Sequence, residues 1–163
     1  MNRVAIITAS DSGYMGQRED LSGPVIREIV EANGYEVVHY TMLPDDEAML
    51  SEEMKRIADG SFAELIVTTG GTGFSKRDCM PEATIAITER SLPGIPEAIR
   101  AYSMQFTKRA MLSRAAAGIR KNTLIVNLPG SPKAVRESLE FIIGELGHGL
   151  EILSGEASNC ARK

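Results

Sequence analysis

Leu65-Ile66-Val67-Thr68-Thr69-Gly70-Gly71-Thr72-Gly73-Phe74-Ser75-Lys76-Arg77-Asp78-Cys79-Met80-Pro81-Glu82-Ala83-Thr84 is the stretch on which the reading of the chain turns. An apolar run passes directly into a glycine- and threonine-rich loop, then a basic pair, a carboxylate and a Pro-Glu helix start. Glycines placed straight after a strand let backbone N–H groups approach an anion closely, and the hydroxyls of Thr69 and Thr72 add donors. Asp78 then sets a carboxylate within reach of whatever the loop holds, which suits a divalent cation bridging to phosphate. The run is neither a Walker A loop, since no Gly-Lys-Ser/Thr follows, nor a dinucleotide Gly-x-Gly-x-x-Gly. The competing reading is a glycine-rich turn that binds nothing.

Outward from that loop, strand-like and helix-like segments alternate. Val4 to Thr8, Tyr35 to Tyr40, Leu65 to Thr68 and Thr123 to Val126 read as strands. A polar loop from Ser10 to Asp20 precedes a helix opened by Ser22-Gly23-Pro24 and closed by Asn33-Gly34. Asp45 reads as the N-cap of a helix from Asp46 to about Ala58. Pro81-Glu82 starts a helix that Pro93-Gly94 breaks, and Pro96 begins another reaching Met111. Gly118 to Lys121 reads as a turn, and Ser131-Pro132 opens a last long helix whose apolar face runs through Val135, Leu139, Ile142, Ile143 and Leu146. This alternation predicts an α/β fold: one domain over residues 1–153, a three-layer sandwich with a mostly parallel sheet flanked by helices. Residues 154–163 read as a C-terminal tail that is mobile or ordered by a partner.

At 163 residues the chain can close a core without disulfides or metals. A formal net charge of −4 argues against a broad nucleic-acid-binding face. Cys79 and Cys160 form no Cys-x-x-Cys pair, so free thiols in a reducing compartment are expected. Met1 to Thr8 is too short an apolar run for a signal peptide or a membrane span, and a cytoplasmic protein is the expectation.

In a parallel sheet the loops following the strands share one edge, where ligands bind. Ser10-Asp11, Pro44-Asp45, Thr69–Gly73 and Asn127–Ser131 all fall there. A phosphorylated ligand and a metal ion, Mg²⁺, fit such a set. Asp45 either helps hold a metal-bound triphosphate or only caps a helix, whereas Asp78 is harder to explain by capping. Lys76 and Arg77 either neutralise phosphate or form a solvated basic pair. Ser131 between Gly130 and Pro132 offers a helix N-terminus suited to an anion. Ser113-Arg114 could also reach one. His39 and His148 lie far from any nucleophile and read as structural or surface residues; no Ser-His-Asp triad is present.

Together these residues resemble the molybdopterin adenylyltransferases, the bacterial MogA/MoaB family and the G domain of gephyrin. The likeness runs from Val4 to Leu153. It is carried by Ser10-Asp11-Ser12, Asp20-Leu21-Ser22-Gly23-Pro24, Leu43-Pro44-Asp45-Asp46, Thr68 to Thr84, Leu112-Ser113-Arg114 and Asn127-Leu128-Pro129-Gly130-Ser131-Pro132. Met80 stands where the signature usually has Thr, and Asp46 where it has Glu. The resemblance implies that Mg²⁺-ATP and molybdopterin give adenylyl-molybdopterin and pyrophosphate in molybdenum cofactor synthesis. It also implies a homotrimer, and leaves open a partner that inserts molybdate. By position it makes Asp45 and Asp78 the catalytic and metal-holding carboxylates. Thr69, Gly70, Gly71, Thr72 and Gly73 become the nucleotide loop, and Ser113, Asn127, Pro129, Gly130 and Ser131 further ligand contacts. Three alternatives share the fold: a pterin-binding relative without catalysis, a trimeric scaffold, and a nucleotide pyrophosphatase.

Overall fold

A computed structural model describes residues 1–156. Its centre is a six-stranded sheet built from β1 (Arg3–Ala9), β2 (Glu36–Leu43), β3 (Leu65–Thr69), β4 (Arg90–Ser91), β5 (Ala117–Arg120) and β6 (Thr123–Leu128). The strand order is β2-β1-β3-β6-β5-β4. The first four run parallel, and β5 and β4 complete the sheet in antiparallel pairing. The expected α/β sandwich with a mostly parallel sheet is therefore the observed one.

Strand periodicity explains the two covered faces. Val4, Ile6, Leu65, Val67, Leu124 and Val126 point to one side, where they pack with α2 (Ser22–Ala32), α5 (Gly94–Ser103) and α6 (Pro132–Ser154). Ala5, Ile7, Ile66 and Ile125 point to the other and meet α3 (Glu47–Asp59) and α4 (Met80–Ile87). β1, β3 and β6 are buried on both faces, which is why they read as unbroken apolar runs. β2 sits at the sheet edge, and its residues alternate between exposed and half-buried.

Several boundaries differ from expectation. Gly118 to Lys121 is mostly strand β5, and the turn into β6 falls at Lys121, a non-glycine residue with φ +50°. The glycine marks not the turn but the close approach of the segment leading into β4: a Cβ on Gly118 would lie 2.7 Å from Thr88 Cγ2 and 2.9 Å from the Arg90 carbonyl oxygen. The helix from Pro81 stops at Ile87, because the chain turns extended at Thr88 to enter β4. The helix expected to reach Met111 ends at Ser103, and a separate 3₁₀ turn covers Lys108–Leu112. The loop after β1 holds a short helix, α1 (Asp11–Tyr14). α6 ends at Ser154 with Gly155 in the left-handed conformation; the tail beyond 156 lies outside the described residues. Among the described residues no helix is long and apolar enough to cross a membrane.

Candidate active site

β2 lies on one side of β1 and β3 on the other, so the chain crosses the sheet in opposite directions from this point. Such a reversal opens a crevice at the carboxyl ends of the strands. A cavity of about 450 Å³ occupies it, reached by Thr8 to Ser10 from β1, Met42 and Asp45 from β2, Thr69 to Gly71 from β3 and Gly130 to Pro132 after β6. The approach between β1 and β3 is close: Gly70 has φ +89°, and a side chain there would collide with the Ala9 carbonyl.

Asp45 is not the helix cap. Asp46 is, its carboxylate accepting from the Met49 N–H at 2.9 Å. Asp45 instead exchanges bonds with the loop after β1. The Asp11 N–H donates to Asp45 Oδ2 at 3.1 Å, and the Asp45 N–H donates to Asp11 Oδ1 at 2.9 Å. The other oxygen, Asp45 Oδ1, is buried without a hydrogen-bond partner. Burial raises the Asp45 carboxyl above its ordinary range, and the charges of Asp11 and Asp78 push the same way. Asp11 is held low by the Arg77 guanidinium, bonded at 2.9 and 3.0 Å, and by the Asp45 N–H.

Asp78 lines the same cavity. Its Oδ2 accepts the Ser75 N–H at 2.9 Å, closing a tight turn at the far end of the glycine loop. Ser131 caps α6 through the Ala134 N–H at 3.2 Å, and Gly130 to Pro132 bring the positive end of that 23-residue helix to the cavity. That end is latched from two sides. Thr69 Oγ1 donates to the Pro129 carbonyl at 2.6 Å, and Ser22 Oγ donates to the Gly130 carbonyl at 2.8 Å.

The expected site residues divide among three places. Asp45, Asp78, Thr69, Gly70, Gly71, Gly130 and Ser131 line the first cavity. Thr72, Gly73, Ser113 and Pro129 line a second, of about 430 Å³, on the opposite side of the glycine loop. Asn127 lines neither. It is 1% exposed, and its amide donates to Thr68 and Thr84 hydroxyls at 3.0 and 2.9 Å while its carbonyl accepts the Ala116 N–H. Its side chain braces the sheet beneath the loop. Met80, at the position where the resembled signature carries Thr, is wholly buried in the core beside Leu50 and Met54, so its side chain faces away from the cavity.

Asp20 escaped the sequence reading as a site residue. It accepts from the Thr8 hydroxyl at 2.8 Å, from the Ser22 and Gly23 N–H groups at 3.0 Å, and from the Tyr40 hydroxyl. Burial alone would raise its carboxyl, but these bonds outweigh it and hold the group below the usual range. Burial and the Asp20 charge together push the Tyr40 hydroxyl up to about 12. Ser-Gly following an Asp is a local signal for the two N–H bonds, yet Thr8 and Tyr40 arrive from β1 and β2.

The first cavity offers a defined donor set. Among the described residues no group of three or more His, Cys, Asp or Glu side chains could hold a metal ion alone. Two carboxylates, one with an unpartnered buried oxygen, fit a Mg²⁺ whose remaining ligands are phosphate oxygens and water. Cys79, half-buried next to Asp78, is a free thiol pushed up to about 11 by burial and by Asp45, Glu47 and Glu82. A raised thiol holds little thiolate, the form that acts as a nucleophile.

Comparison with known proteins agrees with this geometry. The family model described as "Probable molybdopterin binding domain" matches residues 5–148. A molybdopterin adenylyltransferase of Helicobacter pylori is 37% identical over 155 residues, covering 93% of this chain and 88% of that protein. The crystal structure of the molybdopterin biosynthesis enzyme MoaB from Thermus thermophilus superposes with a TM-score of 0.90 at 43% identity, covering 95% of this chain and 98% of that one. The tungsten cofactor synthesizing protein MoaB from Pyrococcus furiosus superposes at 0.85 with 36% identity, over 94% and 97%. The chain belongs to the molybdopterin-binding domain family of the MogA/MoaB type.

Proposed function

We propose that the protein adenylylates molybdopterin, consuming Mg²⁺-ATP and releasing pyrophosphate, within molybdenum cofactor synthesis in the cytoplasm. The observation that carries this reading is the unpartnered, buried Oδ1 of Asp45 in a cavity shared with Asp78 and the N-terminus of α6. A buried carboxylate oxygen without a donor is a place where a cation can complete the coordination, and the neighbouring Asp78 supplies the second carboxylate.

A terminal phosphate oxygen of molybdopterin attacks the α-phosphorus of ATP. The bond from that phosphorus to the bridging oxygen breaks, and the electron pair leaves with pyrophosphate. No protein nucleophile is needed, in keeping with the raised Cys79 thiol and the lack of a triad. The protein's work is positioning and charge neutralisation. Asp45 and Asp78 would hold Mg²⁺, which supplies a positive centre for the developing charge on the leaving group. The backbone at Gly70 and Gly71 and the positive end of α6 orient phosphate oxygens, and Arg77, exposed at the rim, can exchange Asp11 for phosphate.

The test mixes purified protein with molybdopterin, ATP and Mg²⁺. Formation of the adenylylated pterin, abolished by a chelator and restored by Mg²⁺, is expected. Binding of pterin without product overturns the catalytic reading. ATP cleavage without molybdopterin would make the protein a nucleotide pyrophosphatase instead.

A further inference from the structure

The loop carrying Asp78 is closed at its base by the Met80 N–H on the Gly71 carbonyl at 3.0 Å and tied at its rim by Arg77 to Asp11. β3 ends at Thr69 and α4 starts at Met80, with no helix or strand between. Gly70 and Gly71, at φ +89° and +69°, give it two soft joints. One residue from outside grips both of its legs. The Arg114 N–H donates to the Thr72 carbonyl at 2.9 Å. Its guanidinium Nε donates to the Gly73 carbonyl at 2.7 Å, and Nη2 donates to the Asp78 carbonyl at 3.0 Å. Nη1 pairs with Glu82 in the first turn of α4.

We propose that Arg114 is a positioning residue: its guanidinium staples Gly73 to Asp78 and so fixes where the Asp78 carboxylate stands in the cavity. The inference rests on the adenylyltransferase reading for its kinetic arm. It also gives Arg114 a different role from the expected reach to an anionic ligand. All three guanidinium nitrogens are spent on the loop and on Glu82. A planar fork can hold these acceptors at fixed angles, whereas an ammonium on a flexible stem cannot satisfy them together. The clamped loop also forms the wall between the two cavities, since Asp78 lines one and Thr72, Gly73 and Phe74 line the other.

Arg114→Lys keeps the charge and removes the fork. Three measurements decide the matter: steady-state kinetics, Mn²⁺ titration with ATP present and molybdopterin absent, and amide hydrogen exchange over residues 73–79. The expected result is a thermal midpoint close to the parent and exchange faster by about tenfold. Mn²⁺ binding weakens several-fold, and kcat falls about tenfold or more with both KM values within about twofold. Unchanged exchange in the loop overturns the clamp. A raised KM with kcat intact also overturns it and places Arg114 on a substrate. A lowered thermal midpoint with kcat and Mn²⁺ binding intact reduces Arg114 to a structural residue and likewise overturns the proposal. Should the lysine variant fail to fold, Arg114→Gln, which keeps an amide donor and removes the fork that reaches Gly73 and Asp78 together, carries the same readings. If the parent protein lacks adenylyl transfer, the proposed function fails, while the exchange and Mn²⁺ arms still decide what Arg114 does.

Discussion

Asp11 and Asp45 hold each other through paired backbone-to-carboxylate bonds of 3.1 and 2.9 Å, linking the loop after β1 to the loop after β2. The pairing places two carboxylates side by side, which is electrostatically unfavourable unless a cation joins them. Arg77 compensates Asp11 directly. Asp45 has no such partner on its free oxygen.

The pH dependence of stability follows from that asymmetry. The Asp45 carboxyl is raised in the folded protein, so the stability linked to it is fully present below its unfolded value near 3.8 and is lost as pH rises through the folded value. At neutral pH the charged group therefore strains the metal-free protein. Asp45→Asn should raise the thermal midpoint at pH 7 and lose that advantage as pH falls toward 4, while turnover drops about a hundredfold or more. A lower midpoint at pH 7 would contradict the assignment.

Asp78→Asn isolates charge from shape in the other carboxylate. The Ser75 N–H still finds an acceptor, so the thermal midpoint should stay near the parent value. Adenylyl transfer should fall about a hundredfold or more. Normal rates, measured with saturating Mg²⁺-ATP, would remove Asp78 from the site.

Met80→Thr tests the departure from the resembled signature. Met80 is fully buried, and its replacement by a smaller hydroxylated residue leaves a void and a polar group to satisfy. A loss of about 2 kcal/mol or more in denaturant unfolding is expected, with kcat unchanged. A gain in kcat would mean the position acts on the ligand after all.

Assembly can be weighed directly. Ile99 is buried and Ile95 packs against the core, so these residues of α5 are spent within the chain. An aromatic face remains: Tyr102 stacks on Phe141 with centroids 4.0 Å apart, and Phe106 meets its edge. Phe106 and Phe141 are about half exposed. Such a patch suits a subunit contact burying on the order of a thousand Å² or more. Light scattering on a sizing column should give three times the 17.7 kDa chain mass, and Phe141→Glu should shift it toward one. A parent protein at one chain mass would reject the homotrimer.

The parts legible from sequence were those whose signal is local. β1, β3 and β6 are apolar on both faces, and such strands need no partner to be recognised. Thr69 to Gly71, Asp78 and Ser131 meet at the cavity on the strand ends, where their spacing along the chain sets them. β4 is two residues long and β5 four, too short to display a period, and the glycine in β5 imitates a turn. Asp45 and Asp46 are chemically interchangeable as caps, and only the path of the chain tells them apart. Asp20 and Arg114 act through partners from distant segments, and no spacing in the chain encodes those meetings.

The two hydroxyl latches on Pro129 and Gly130 have a consequence for the proposed capture of phosphate. Thr69 and Ser22 belong to β3 and α2, so the donor end of α6 is anchored to the rigid frame before any ligand is present. Anions then meet a finished surface, with little freedom left to surrender on capture. Phosphate recognition at this end should be a single-step, lock-like encounter whose rate scales with ligand concentration and shows no saturating slow phase.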